Sequence, residues 1–228
     1  MAAIGLLGAG TPSVEQIGRT RAAIVLPDAA AIGSIVLIPG GSTLQKIDPD
    51  GTPSSGGNFV MRIRQSLLAA GFAIAYLEDP TDLRAIIARM RTVKRPVFLL
   101  STSNGTRVAA ANAANLGTDG PDGIVLTSTV TKPSGQAPQS AASVNVGKIT
   151  VPVLFVHNVN DACFVSPPGG IAGLIARFPK ITDVTRIDVA STRLAGDPCE
   201  PYSQHGYLGI EDGVTAKIID WMRAHGAS

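Results

Sequence analysis

Charge is scarce in this chain of 228 residues: Asp, Glu, Lys and Arg make up 16%, and 19 basic against 17 acidic residues leave a formal net charge of +2. So small an excess, with no Lys/Arg cluster interleaved with aromatics, gives no footprint for a polyanion and sets nucleic-acid binding aside. Cysteine is nearly absent. The two present, Cys163 and Cys199, are too few for a disulfide-framework protein or a cysteine-only metal site. No hydrophobic run approaches the length that spans a bilayer, so no membrane span is expected. The first 13 residues are apolar but lack the positive segment that opens a secretion signal. They read as an end left by processing or as a first strand. Histidine is limited to three residues, which narrows any acid-base chemistry.

Hydrophobic residues, by contrast, are 45% of the chain, enough for a well-buried sheet in one α/β domain of ordinary size. Short apolar or β-branched runs at 22–26, 34–38, 72–77, 97–100, 123–127, 151–157 and 184–189 read as strands. Segments 59–70, 82–93, 106–116, 170–178 and 211–224 read as helices, the first and last with clear amphipathic spacing. This alternation predicts a mostly parallel sheet covered by helices on both faces. No repeat or second domain is visible, so the whole of 1–228 reads as a single domain, with 1–20 as an extended N-terminal segment. The connection 130–150 is too short for a large helical lid, which leaves an open cleft or a small flap. The polar loop 45–58 borders that cleft.

The densest chemical signal lies in RPVFLLSTSNGTRVAAANA, residues 95–113. A buried strand runs straight into an Ala-rich helix with Ser103 at the corner, and Ser101-Thr102-Ser103-Asn104-Gly105 nearly matches the G-x-S-x-G nucleophile elbow. The same Ser, Thr and Asn residues also suit a plain helix cap. Upstream, the strand 34–38 ends in Pro39-Gly40-Gly41-Ser42-Thr43. That is either a simple turn or a loop whose bare backbone N–H groups face a ligand.

A serine hydroxyl needs a base to take its proton and a third group to orient that base. Of the histidines, His225 sits at a helix end near the C-terminus and reads as exposed and inert. His157 ends a strand, where it reads as a pin for the following loop. His205 lies in a Gly/Pro-bounded loop between the last strand and the last helix and is the candidate base. Asp161, just past the carboxyl end of a late strand, is the candidate acid, ahead of Asp122 and Asp197. The chain order Ser103, Asp161, His205 differs from the orders found in chymotrypsin and subtilisin.

Taken together, IVLIPGGS (35–42), FLLSTSNGT (98–106), VPVLFVHNVNDAC (151–163) and SQHGYLGIE (203–211) resemble the α/β-hydrolase superfamily, in particular small bacterial serine hydrolases of esterase type. The similarity runs from about residue 22 onward. Two departures stand out: Ser101 replaces the usual first glycine of the elbow, and Pro39 the histidine common before the oxyanion glycines. The resemblance implies a Ser103 nucleophile, an Asp161 acid, a His205 base, and an oxyanion hole from the backbone N–H groups of Gly41 and Asn104. It implies a small-molecule carboxylic ester as substrate and neither a metal nor an organic cofactor. The same triad serves lactone, dienelactone or amide hydrolysis and acyl transfer, and the fold can persist in a non-catalytic binding protein. In this setting a Cys163–Cys199 disulfide would tie the acid loop to the histidine loop and point to a periplasmic or secreted protein. The alternative is two buried free thiols in a cytosolic one.

Overall fold

A computed structural model describes residues 10–135 and 138–228. Eight strands form one sheet in the order β1-β2-β4-β3-β5-β6-β7-β8. They are β1 (Ser13–Ile17), β2 (Thr20–Val25), β3 (Gly33–Ile38), β4 (Phe72–Leu77), β5 (Val97–Thr102), β6 (Gly123–Thr127), β7 (Val153–Asn158) and β8 (Val184–Val189). β3 to β8 are mutually parallel, whereas β1 and β2 pair antiparallel at one edge. β3, β4, β5, β6 and β7 are buried at every residue, which is why they read as unbroken apolar runs. The outer strand β8 alternates half-buried and exposed positions.

Among the described residues six helices cover the two faces: α1 (Phe59–Arg62), α2 (Arg64–Ala69), α3 (Leu83–Arg91), α4 (Gly105–Asn115), α5 (Gly170–Ile175) and α6 (Glu211–Ala224). Successive strand residues point to opposite faces, and the core divides accordingly. Val36, Leu99, Leu126 and Phe155 pack with α3, α4 and α5. Leu37, Phe98, Val125 and Leu154 pack with α1, α2 and α6. Small side chains along α4 (Ala109, Ala110, Ala113) let it lie against the middle of the sheet.

Two elements differ from the sequence-based expectation. The single helix expected over 59–70 is two short helices that meet at Ile63, which closes the first and opens the second. Part of the expected N-terminal extension is a strand, since β1 lies within residues 1–20 and pairs with β2. Residues 1–9 of that segment lie outside the described residues. In the connection 130–150 only two single 3-10 turns form, Ala141–Ser143 and Val146–Lys148, among the described residues, so no helical lid stands there.

The loops that follow β3, β5, β6, β7 and β8 all leave the carboxyl edge of the parallel strands, the place where ligands bind in open α/β sheets.

Candidate active site

Ser103 occupies the tight corner between β5 and α4 with a φ of 52°, a left-handed conformation costly for a residue with a side chain and typical of functional corners. The corner is held on both sides. The Ser103 N–H donates to Thr127 O at 3.0 Å, and Ser103 O accepts from Thr106 N at 3.0 Å and Thr106 Oγ1 at 2.6 Å. Gly105 is required because a Cβ there would stand 2.5 Å from Pro39 O and 2.6 Å from Ile38 O. Ser101 fits where a glycine is usual. Its buried hydroxyl donates to Val125 O at 3.0 Å, and its carbonyl accepts from Thr127 Oγ1 at 2.9 Å.

The loop after β3 runs beside this corner. Gly41 has a φ of 67°, and its carbonyl accepts from Asn104 Nδ2 at 2.8 Å, so the two candidate oxyanion donors belong to residues already joined. Among the described residues neither the Gly41 nor the Asn104 backbone N–H has a hydrogen-bond partner.

Asp161 and His205 meet. His205 Nδ1 lies 2.9 Å from Asp161 Oδ2, and both side chains are buried. The remaining Asp161 valences are filled by donors: Cys163 N–H on Oδ1 at 2.9 Å and the Ser166 hydroxyl on Oδ2 at 2.9 Å. A carboxylate so satisfied accepts the Nδ1 proton, which fixes the tautomer with a lone pair on Nε2. Ser103 and His205 line one cavity of about 340 Å³. The Ser103 hydroxyl and His205 Nε2 are not hydrogen-bonded to each other, and Nε2 has no partner among the described residues. A second cavity of about 630 Å³ also meets Ser103, over Val130, Val165 and the Cys163–Cys199 disulfide.

The rival acids are engaged elsewhere. Asp122 binds Arg95 and the Val97 N–H, and Asp197 accepts the Cys199 N–H. Two histidine expectations need correction. Among the described residues His157 pins nothing by hydrogen bonding, since both ring nitrogens are buried without partners there, and burial holds its pKa below the usual imidazole value. The pin is its neighbour. Asn158 accepts from Asn160 N and Ser191 N, and donates to Gln204 O at 3.0 Å, so one amide joins the acid turn to the histidine loop. His225 is neither exposed nor idle: it stacks on Trp221 at 4.2 Å and reaches Asp183 through Nε2.

The histidine loop has three further anchors that the sequence did not reveal. Ser128 Oγ donates to His205 O at 2.6 Å. The Tyr207 hydroxyl donates to Val156 O and accepts from Ser128 N, and complete burial raises its pKa, so it stays neutral. Arg62 donates to Gly57 O, Pro201 O and Gly206 O, and pairs with Glu211 at 3.0 Å. Its only sequence signal is an arginine inside an apolar helical stretch. Cys163 and Cys199 are bonded, tying the acid turn to the same loop.

No protein-family model and no curated protein sequence matches the chain. Solved structures do. Est1E from Butyrivibrio proteoclasticus superposes with a TM-score of 0.66 at 14% identity, over 96% of this chain and 100% of that one. An α/β serine hydrolase without a lid from Xanthomonas campestris gives 0.58 at 14% identity, over 93% of this chain and 97% of that one. The fold is that of the α/β-hydrolases. A carboxyl esterase from Bacillus coagulans is also similar in fold, with a TM-score of 0.62 at 12% identity, over 95% of this chain and 98% of that one. Along this chain the Ser103 corner, the loop after β3 and the loops that carry Asp161 and His205 share one edge of the sheet.

Proposed function

We propose that the protein is a serine hydrolase that cleaves a carboxylic ester of a small molecule through an acyl-enzyme. The observation that carries this reading is the Asp161–His205 pair on the wall of the cavity that also holds Ser103 at a strained corner. Ser103 Oγ attacks the ester carbonyl carbon and passes its proton to His205 Nε2. The Ser103 to His205 hydrogen bond tightens as substrate fills the cavity, since catalytic hydrogen bonds are often long before substrate binds. The carbonyl oxygen, now negative, accepts from the Gly41 and Asn104 N–H groups. Nε2 then protonates the departing alcohol, and a water deprotonated by the same nitrogen releases the acid. Asp161 keeps its charge throughout and stabilises the imidazolium.

The leaving oxygen must meet Nε2. The alcohol therefore lies in the smaller cavity, which His205 lines, and the acyl group in the larger one, which it does not. The disulfide favours an oxidising compartment, periplasmic or extracellular. Among the described residues no helix is long and apolar enough to cross a membrane.

The test is turnover of short and long nitrophenyl esters by wild type and Ser103→Ala. The expected result is hydrolysis by the wild type and a loss of at least about a thousandfold in the variant. Equal rates would refute the reading.

A further inference from the structure

The two cavities share one charged side chain. Glu200 lines both, and among the described residues no other Asp, Glu, Lys or Arg lines either. Its backbone is fixed: the N–H donates to Asp197 O at 3.0 Å, the carbonyl accepts from Ser203 Oγ at 2.7 Å, and the preceding residue is disulfide-bonded. Its carboxylate makes no ion pair or hydrogen bond among the described residues, whereas its acidic neighbours are engaged. Asp161 holds His205, Asp197 holds the Cys199 N–H, and Glu211 takes Arg62. Glu200 is exposed, and the larger cavity is also lined by an aromatic ring: Phe164, 56% exposed, is one of the few large apolar side chains left open to water among the described residues. A carboxylate and an aromatic ring lining one cavity are the kinds of group that attract a cationic nitrogen, one by charge and one by its quadrupole.

We propose that the larger cavity binds an acyl group bearing a cationic nitrogen, with Glu200 as the specificity-determining residue and the Phe164 ring as a face for the cation. This rests on the ester-hydrolase reading and on its assignment of the acyl side. The same charge repels acyl groups that end in a carboxylate.

The experiment compares two nitrophenyl esters of equal shape, 4-(trimethylammonio)butanoate and 5,5-dimethylhexanoate, in wild type and Glu200→Gln. In the wild type at low salt the cationic ester is expected to have a kcat/KM about fivefold higher, the factor for two unit charges some 4 Å apart in water. That ratio is expected to fall to about one in Glu200→Gln, and to shrink for the wild type near 1 M salt, where the screening length is about 3 Å. A wild-type ratio of one, or a ratio that Glu200→Gln leaves unchanged, overturns the cation site while the esterase stands. Absence of turnover of both esters overturns the esterase reading instead. In that event the cation site is read separately, from calorimetric binding of butyltrimethylammonium to Ser103→Ala with and without Glu200→Gln. Equal binding by the two proteins, or none, overturns it.

Discussion

Removing the Cys163–Cys199 disulfide is expected to weaken the whole molecule and, more sharply, the site. The bond joins residues 36 apart in sequence, and closing a loop of that size in the unfolded chain stabilises the fold by about 4 kcal/mol in the chain-entropy model. For a chain of 228 residues the unfolding entropy near the midpoint turns that figure into a fall in Tm of roughly 8 °C. The assay is calorimetry of wild type with and without a phosphine reductant, beside Cys163→Ala/Cys199→Ala, with ester hydrolysis followed at 25 °C. The reduced wild type and the double variant are expected to melt together, and the reductant to leave the variant unchanged. Activity is expected to fall while both are still folded, because the Cys163 N–H holds Asp161 and the Cys199 turn leads into the His205 loop. An unchanged Tm, or two titratable thiols in the unreduced denatured protein, would refute the reasoning.

Other expectations follow from particular contacts. Ser166→Ala removes a hydroxyl that lies 2.9 Å from Asp161 Oδ2 and 3.0 Å from His205 Nδ1, so the pair loses a buried partner, and steady-state kinetics are expected to show a lower kcat with little change in KM. Arg62→Lys keeps the charge near Glu211 but cannot span three carbonyls on two segments. Urea unfolding is expected to show a loss of about 2 kcal/mol, together with a lower kcat from a loosened His205 loop. His157 titrates below its unfolded value of 6.5, chiefly through burial. It is therefore neutral in both states at higher pH and adds no slope there. Below pH 6.5 the unfolded chain gains a proton that the folded one refuses, so stability falls by about 1.4 kcal/mol per pH unit until the folded pKa is reached. Denaturation midpoints at pH 7 and pH 5 are expected to converge more closely in His157→Gln than in the wild type, and equal differences would contradict this.

The fold was legible because its central strands are buried on both faces, so that runs such as 72–77 and 123–127 carry almost no polar residues and stand out without an alignment. The elbow was legible for a local reason as well, since Gly105 sits two residues after Ser103 where a Cβ has no room. Features that depend on distant partners were not legible. Arg62 looked like one more charge on an amphipathic helix, yet its guanidinium reaches the Gly206 carbonyl 144 residues away. Nothing local separates His157 from Asn158 as the pin of the acid loop: an amide has donors and an acceptor that can serve two segments at once, while the imidazole is left without a partner. The break at Ile63 escaped notice because the apolar spacing runs on through it. His225 became a stacked, hydrogen-bonded cap only through Trp221 and Asp183, neither of which marks it in the sequence.

The central claim is that His205 activates Ser103. Its most direct measurement is labelling of the native protein by a fluorophosphonate probe, followed by peptide mapping, in wild type and in His205→Gln. The account predicts one phosphonylated residue, Ser103, in the wild type, and labelling slowed by orders of magnitude in the variant. Labelling elsewhere, or Ser103 labelling at the same rate without the imidazole, would contradict it.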